Sequence, residues 1–342
     1  MVQNQTLGFQ EIYMISLPER TDKRDAFALQ AAFSGISYTV VDGVHGDEVP
    51  SHALPNTMDQ RSNVVGCWRA HVNVLQRMVR EGVSTALIFE DDADWDVALK
   101  HQLVQFARGS RFILSAPGEE LATLSPYGDD WDILWLGHCG TSILPDEHRR
   151  FFVIPNDPTV EPPHLRQENY HEPNTSHWRT GPDGGSRTRI VFRSGNAACT
   201  AAYAISQKGA KKALYYLSMV PYNDPIDLRL AALCKSKVKC ISPWPQLVGV
   251  SWPTGNAAKW SDIGYGPDSE ATVQEGKSLH LMYSVRQNLP NMLEGQTVFD
   301  SQYPRIAPPM SIEDLGSATG YPETLEPGDF LSPPKDKTVG SD

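Results

Sequence analysis

The sequence contains no apolar run that approaches the ~20 residues needed to cross a membrane, and its opening residues, MVQNQTLGFQ, are too polar for a signal peptide. Basic residues are also few: 30 Lys and Arg stand against 41 Asp and Glu, a net charge of -11. Non-specific nucleic-acid binding needs a basic face that displaces counterions. We therefore expect a soluble chain with no membrane span and no nucleic-acid partner.

Cysteine is scarce, and no Cys-x-x-Cys pair marks a metal or redox site. Of the five cysteines, Cys234 and Cys240 are close enough in sequence to form one disulfide in an oxidising compartment, and the odd number leaves at least one thiol free. Asn-x-Ser/Thr triplets at Asn4 and Asn174 favour a secretory protein modestly. The expected location is the Golgi or endoplasmic-reticulum lumen if an N-terminal anchor is missing, and the cytoplasm otherwise.

The regular elements follow an α/β pattern. Apolar residues predict strands over 11–17 and 37–41, and a helix over 21–33 lies between them. A long helix over 62–81 has apolar residues at helical spacing, and a strand over 85–89 follows it. This order favours a mostly parallel central sheet with helices on both faces.

Composition divides the chain unevenly. Residues 8–290 are expected to form one domain, with an irregular insertion over 145–190 that is rich in Pro, His, Asn and Arg. Such an insertion in a compact domain is often functional. We consider it a possible lid, whose polar and aromatic residues bind either a metal or an acceptor: His164, His171, His177 and Trp178. Residues 291–342 form a Pro-rich C-terminal tail that is expected to be partly disordered.

Four acidic residues come directly after the predicted strand over 85–89: Glu90, Asp91, Asp92 and Asp94. Ligands of open parallel sheets bind beyond the carboxyl ends of the strands. A divalent cation relieves the repulsion between clustered carboxylates, and oxygen ligands suit Mn²⁺ or Mg²⁺. The Asp92-x-Asp94 spacing therefore predicts a metal site. The alternative is a solvated acidic loop in which Asp94 or Asp96 caps the next helix.

Several blocks of the sequence together resemble glycosyltransferase family 25, which includes bacterial lipopolysaccharide galactosyltransferases and animal procollagen galactosyltransferases. The blocks occur in the family's order and cover roughly residues 10–265: Ile12–Arg24, Gly66–His71, Ala86–Asp94, Thr200–Ala210, Pro225–Asp227 and Ser261–Ile263. Ala70 stands where the family usually has Ser. The insertion and the tail lie outside the resemblance. Blocks such as Trp135–Gly140 point to a distinct branch, such as a fungal one.

The resemblance implies a GT-A-type fold and an inverting, metal-dependent transfer of a hexose, usually galactose. The implied partners are a UDP-sugar donor and a glycan or hydroxylated acceptor, with Mn²⁺ (or Mg²⁺) as the cofactor. Asp92 and Asp94 would then be the metal and diphosphate residues, with Asp91 near the ribose.

The resemblance also implies where the nucleoside binds, because the ends of the first two strands meet it in this fold. Leu17, Pro18 and Arg20 would lie near the base or the ribose, and Asp42 would accept the uracil imide N–H. Arg24 would reach a phosphate. The alternative for Arg20 and Arg24 is a solvated helix start paired with neighbouring carboxylates.

An inverting transfer needs a general base for the acceptor hydroxyl. Asp227 is the first candidate, because it matches a family block and follows a Pro turn, and Asp224 is the second. The alternative is that both carboxylates stabilise a helix N-terminus. His71 contributes either to the donor site or to the core.

Other residues leave two interpretations open. His138 and Cys139 end a predicted strand and are candidates for the cleft wall, whereas Trp244, Trp252 and Trp260 either contact a sugar or pack in the core. Two rival functions remain for the whole chain. One is a catalytically silent sugar- or nucleotide-binding protein on the same fold, and the other is a phosphatase-like or receiver-like domain.

Overall fold

The computed structural model describes residues 1–115, 123–144, 149–166, 171–178, 185–256, 259–263 and 271–325. These residues form seven α-helices and seventeen strands. The helices are α1 Thr21–Ser34, α2 Ser62–Glu81, α3 Leu99–Leu114, α4 Gln207–Ser218, α5 Ile226–Cys234, α6 Val285–Leu293 and α7 Ile312–Leu315. The strands are β1 Glu11–Ser16, β2 Thr39–Asp42, β3 Thr85–Glu90, β4 Ala93–Trp95, β5 Ile133–Gly137, β6 Thr141–Ile143, β7 Arg150–Ile154, β8 Arg189–Ala197, β9 Ala202–Ser206, β10 Cys240–Trp244, β11 Val248–Trp252, β12 Gly255–Asn256, β13 Thr272–Val273, β14 Lys277–Ser278, β15 Val298–Phe299, β16 Met310–Ser311 and β17 Tyr321–Thr324.

A mixed sheet of ten strands forms the centre of the described chain. Nine strands follow the order β17-β7-β8-β10-β5-β9-β3-β1-β2, and β6 pairs with β8. β1 is parallel to both β2 and β3, whereas β9 is antiparallel to its neighbours β3 and β5. The pairings place seven of the ten strands in one direction, with β8, β9 and β17 reversed. The prediction of an α/β fold with a mostly parallel sheet is confirmed.

Helices cover both faces of this sheet, as predicted. Along β1, Ile12 and Met14 pack with α1 and α3, whereas Tyr13 and Ile15 pack on the opposite face with α2. This alternation follows from the period of two of a strand, which sends successive side chains to opposite faces. The predicted ends of the first two long helices are also confirmed, since Gly35 and Gly82 both adopt the left-handed conformation there.

A small antiparallel sheet lies beside the main one and determines where the acidic residues point. β4 pairs with β11, and β11 pairs with β14. Only Asp91 and Asp92 separate the end of β3 from the start of β4. The chain therefore leaves the main sheet and enters the small sheet within one tight turn.

The expected division of the chain differs from the observed packing. The insertion over 145–190 contributes β7, which pairs with β8 inside the main sheet. The boundary after residue 290 falls within α6, and the following residues return to the sheet, where β17 pairs with the edge of β7. The apolar side chains of this C-terminal segment are buried: Phe299, Ala307, Leu315 and Leu325. The disorder predicted after Pro327 lies outside the described residues.

Asp96 joins the C-terminal segment to the start of α3. Its Oδ1 accepts the Ala98 N–H and its Oδ2 accepts the Tyr283 N–H, each at 3.0 Å. The carboxyl is 1% exposed. Burial raises the pKa of Asp96 to about 7, although both backbone hydrogen bonds act in the opposite direction.

This raised pKa predicts a pH dependence of stability. Between pH ~4 and pH ~7 the unfolded chain loses the Asp96 proton while the folded chain retains it, so the free energy of unfolding decreases as pH rises. The slope from this group is at most about 1.4 kcal/mol per pH unit. Urea unfolding of the wild type and of Asp96→Asn at pH 4, 5, 6 and 7 measures it. The variant should lack this part of the slope, and equal slopes would contradict the assignment.

Candidate donor-binding cavity

A cavity of about 530 Å³ opens at the carboxyl ends of β1, β2 and β3. Its walls are the end of β1 (15–17), the loop over 43–47, one face of α2, the acidic turn over 90–92 and the segment over 261–263. Ligands of open α/β sheets bind at this edge. The cavity therefore brings together four of the sequence blocks on which the resemblance was based.

Two glycines allow the loop over 43–47 to lie directly on α2. A Cβ at Gly46 would lie 1.7 Å from the Ser62 carbonyl oxygen, and one at Gly66 would lie 2.2 Å from the Val44 carbonyl oxygen. Both contacts are with backbone atoms, which cannot move aside as a flexible side chain can. This wall of the cavity thus depends on glycine at both positions.

Glu90 ends β3 and faces the cavity. Its Oε1 accepts a hydrogen bond from the Thr200 hydroxyl at 2.5 Å and lies 3.4 Å from His71 Nε2. His71 is 1% exposed, and its Nδ1 lies 3.1 Å from the Tyr203 hydroxyl. His71 therefore belongs to both predicted environments, since it is buried in the core and also lines the cavity.

Lys23 is the cation at the centre of the acidic residues. Its Nζ lies 2.9 Å from Asp91 Oδ1, 2.9 Å from Asp262 Oδ2 and 4.0 Å from Asp92 Oδ2. Burial alone would lower the pKa of Lys23, but the three carboxylates outweigh burial and raise it. The ammonium therefore remains charged and places a fixed positive charge in the cavity wall.

Asp92 has fewer hydrogen-bond partners than Lys23. Its Oδ1 is buried and has no hydrogen-bond partner among the described residues. Burial raises the pKa of Asp92 to about 7, with Glu90 and Asp91 adding to the effect and Lys23 opposing it. An unpaired buried carboxylate oxygen is energetically costly. The same oxygen is suited to bind a cation that enters the cavity.

Asp94 has a different environment from the one predicted. It lies on β4 and is 0% exposed. Its Oδ1 accepts hydrogen bonds from Gln30 Nε2 at 2.7 Å and from the Trp95 N–H at 2.8 Å, and its Oδ2 accepts from the hydroxyls of Ser278 and Ser284. Both oxygens are thus bonded to groups of α1, β4, β14 and the residue before α6, and Asp94 is absent from the described cavity lining. The predicted Asp92–Asp94 metal pair does not fit, because only Asp92 lines the cavity and both Asp94 oxygens already have partners.

The carboxylates that fit a hard divalent cation are Glu90 and Asp92, a pair that begins two residues before the predicted pair of Asp92 and Asp94. Glu90 and Asp92 have the same one-residue spacing, and both line the cavity with Asp91 between them. Their proximity shows in the raised pKa of Asp92, to which the Glu90 charge contributes. Glu90 also lies close to two softer ligands: the potential ligand atoms of Cys67, His71 and Glu90 are within 4.8 Å of one another.

The predicted nucleoside residues separate into two groups. Leu17 lines the cavity, and Arg20 bonds with Asp262, which also lines it. Arg24 instead donates hydrogen bonds to Asp42 at 2.6 Å and to the Ser16 carbonyl at 2.7 Å. Pro18, Arg20, Arg24 and Asp42 are absent from the described lining. Arg24 thus has a partner of its own, and Lys23 is the basic residue of this helix that reaches the cavity.

Asp227 is absent from the described cavity lining but lies near it. In the first turn of α5, its Oδ2 accepts the Cys199 N–H at 2.8 Å. Burial raises the pKa of the Cys67 thiol, and Glu90, Asp227 and Asp92 add to the effect in that order. Cys67 lines the cavity, so Asp227 lies within electrostatic reach of it. Asp224 is exposed at the start of the same turn.

Two disulfides are present among the described residues. Cys234–Cys240 is the predicted pair, and Cys67 is the free thiol. Cys139–Cys199 was not predicted, because 60 residues separate its cysteines in the sequence. It fixes the loop that binds two carboxylates. In this loop the Cys199 N–H donates to Asp227, and the Thr200 hydroxyl donates to Glu90.

The remaining aromatic and histidine candidates lie elsewhere. His138 is 3% exposed, bonds to the Pro243 carbonyl at 2.9 Å and stacks on Trp244, so it is a core residue and not part of the cavity wall. His177 and Trp178 of the insertion contact Glu323 on β17. Trp252 and Trp260 stack on each other at 4.7 Å.

Comparison with known proteins identifies a family to which part of the chain is similar. Residues 9–110 match the family described as Glycosyltransferase family 25 (LPS biosynthesis protein). This segment is similar to glycosyltransferase family 25. It carries β1, the loop over 43–47, α2 and the acidic turn, which supply most of the cavity. The resemblance predicted from the sequence blocks is therefore confirmed.

Three curated relatives illustrate the range of this family. The chain is 28% identical over 145 residues to "Inactive glycosyltransferase 25 family member 3" of Homo sapiens, a match that covers 38% of this chain and 22% of that protein. It is 21% identical over 300 residues to "Procollagen galactosyltransferase 1" of Danio rerio, covering 79% of this chain and 40% of that protein. "Procollagen galactosyltransferase 2" of Mus musculus is 22% identical over 145 residues. The chain thus spans less than half the length of these relatives.

None of the helices in the described part of the chain has the length and apolar character required to cross a membrane.

Proposed function

We propose that this chain is an inverting hexosyltransferase that moves a hexose, galactose first among the candidates, from a UDP-sugar to a hydroxyl of a glycan or a hydroxylated acceptor. The observation that carries the proposal is the cavity at the carboxyl edge of β1–β3. There a charged lysine and a carboxylate with an unpaired oxygen face each other, within a segment similar to family 25. The choice of galactose rests on two relatives that are named procollagen galactosyltransferases.

The walls of the cavity suggest how the donor lies. Leu17 and the loop over 43–47 offer apolar and backbone surface to the nucleoside, and Lys23 offers its charge to the diphosphate. The hexose would then extend toward Glu90 and Cys67. A nucleotide-sugar of this kind suits a cavity of about 530 Å³, within the usual range for small-molecule sites.

We propose Mn²⁺, or Mg²⁺, as the cofactor, held by Asp92 together with Glu90. When bound, such an ion supplies positive charge that stabilises the departing diphosphate. The chain's own residues have separate tasks. Lys23 places a charge beside the same phosphates, and His71 together with Thr200 fixes the Glu90 carboxylate.

Asp227 is the proposed general base for the acceptor hydroxyl. The Cys199 N–H binds one of its oxygens and leaves the other available for a proton. Asp227 lies at the N-terminus of α5, on the Cys67 side of the cavity. Asp224 is exposed and has no described contact with the cavity lining, so it is the weaker candidate.

Two disulfides favour an oxidising compartment. A secretory location, such as the Golgi lumen, is therefore part of the proposal. Mass spectrometry of the protein purified without reductant tests whether both disulfides form.

Donor binding gives the first test of this function. A ligand present at 100 times its Kd stabilises the native state by about 2.7 kcal/mol, which should appear as a higher melting temperature. We expect a shift with UDP and UDP-galactose that increases with Mn²⁺, and a smaller one with GDP-mannose. If no nucleotide changes the melting temperature with or without Mn²⁺, the proposed donor site is wrong.

The human relative named inactive supports a second candidate, a silent sugar- or nucleotide-binding protein. Binding of UDP-galactose without any release of UDP, in water or with a panel of hydroxylated acceptors, would favour it. Release of UDP would favour the transferase.

A further inference from the structure

Asp262 bonds with two cations at the mouth of the cavity. Both of its carboxylate oxygens accept from Arg20 Nη1, at 2.5 and 2.6 Å, and Oδ2 also lies 2.9 Å from Lys23 Nζ. The Asp262 side chain is 35% exposed, whereas that of Lys23 is 8% exposed. The Asp262 carboxylate thus bridges the Arg20 guanidinium and the Lys23 ammonium.

Neither cation depends on Asp262 for a partner. Lys23 also pairs with Asp91 at 2.9 Å, and Arg20 also pairs with Asp22 through two hydrogen bonds of 2.9 Å. The Asp262 carboxylate is therefore an additional anion on groups that already have partners. This arrangement differs from a minimal ion pair, in which loss of one partner leaves a buried charge unpaired.

The segment that carries Asp262 has other attachments to the domain. Arg20 Nη2 donates to the Lys259 carbonyl at 2.8 Å, and Asn63 Nδ2 donates to the Ile263 carbonyl at 2.8 Å. Trp260 stacks on Trp252 between these two points. The backbone would hold its place if the carboxylate moved away.

The charge of the cavity makes this carboxylate significant. Glu90, Asp91, Asp92 and Asp262 all line it, together with Asp47 and Arg61. Lys23 is the basic side chain in contact with three of these carboxylates, those of Asp91, Asp92 and Asp262. A nucleoside diphosphate brings further negative charge to this wall. Carboxylates and phosphates bind guanidinium and ammonium groups in the same geometry. Movement of Asp262 would remove one repulsive group and at the same time release two cations for the phosphates.

We propose that Arg20 and Lys23 form the diphosphate-binding site, and that Asp262 occupies this site as an internal anion until the donor displaces it. The nucleoside part of the donor rests on the function proposed above, whereas the anion site does not. The assignment replaces Arg24, which the sequence resemblance placed at a phosphate and which is bonded to Asp42 instead.

Titration calorimetry in EDTA tests the proposal, with UDP, uridine and inorganic pyrophosphate as ligands. The variants are Asp262→Asn and, as a matched control, Asp25→Asn, which removes one carboxylate from the exposed side of α1. If Asp262 occupies the anion site in a fraction of the molecules, the apparent affinity for an added anion is reduced by that fraction. We expect Asp262→Asn to bind UDP and pyrophosphate about 5- to 10-fold more tightly than wild type, with uridine affinity unchanged. Asp25→Asn should behave like the wild type.

Each outcome separates the two proposals. If Asp262→Asn binds UDP and pyrophosphate no more tightly than wild type, or if Asp25→Asn gains as much, Asp262 does not occupy an anion site. If Asp262→Asn gains affinity for pyrophosphate, but UDP binds no more tightly than pyrophosphate and uridine does not bind, the anion site stands and the nucleotide-sugar function fails. Circular dichroism of both variants checks that the fold is retained.

Discussion

Asp92→Asn is expected to lower the release of UDP from UDP-galactose about 100- to 1,000-fold without destabilising the protein. Asp92 Oδ1 is buried without a partner, and burial has raised the pKa of the carboxyl to about 7. Replacing this charge by an amide removes a penalty from the folded state. At pH 8 the free energy of unfolding should therefore rise by roughly 1 kcal/mol.

Asp94→Asn is the matched comparison, two residues away in the same acidic run. Asp94 accepts hydrogen bonds from Gln30, Trp95, Ser278 and Ser284, and Arg286 lies close to it. An amide can accept through one oxygen only, so this variant should lose about 2–4 kcal/mol of stability. Urea unfolding and UDP release are measured on both variants. Wild-type activity in Asp92→Asn, or an equal stability loss in both, would contradict the separation of a functional Asp92 from a structural Asp94.

Removal of the Cys139–Cys199 disulfide is expected to have the second large effect. Serine at both positions should lower the free energy of unfolding by about 4 kcal/mol, because the bond closes a long loop. It should also lower UDP release, since the same loop positions Asp227 through Cys199 and Glu90 through Thr200. Thermal unfolding and the UDP-release assay measure the two effects on one preparation.

The second disulfide supplies the control. Cys234–Cys240 closes a loop with a sequence separation of 6, against 60 for Cys139–Cys199. Serine at both of its positions should cost about 2 kcal/mol and should leave UDP release close to that of the wild type. Equal losses of activity in the two double variants would show that the Cys139–Cys199 loop has no particular role in the site.

The sequence predicted the half of the fold in which interactions are local. The first strand, helix and strand, the long helix α2 and the strand before the acidic turn lie close to their predicted positions. Glycines end both helices, and apolar residues recur at the expected spacing. The cavity at the carboxyl ends of β1–β3 follows from this order.

The errors concern residues whose environment depends on distant parts of the chain. Asp94 lies on β4, which pairs with β11 more than 150 residues later, and its carboxylate bonds with Ser278 and Ser284 outside the described cavity lining. Lys23 lines the site and contacts Asp262, 239 residues away, as well as Asp91. Lys23 and Arg24 are adjacent in sequence, and the helical pattern alone does not predict which of the two faces the cavity. The C-terminal segment is predicted to be a tail from its Pro-rich and polar composition, which does not reveal the strand that pairs with β7.

Hydrogen–deuterium exchange with and without UDP and Mn²⁺ is the most direct test of the central claim, that the cavity beside β1–β3 is a nucleotide-sugar site. It needs no knowledge of the acceptor. The account predicts slower exchange in peptides that contain residues 15–17, 43–47, 90–92 and 261–263, which line the cavity. Protection confined to other segments, or none at saturating UDP, would contradict it.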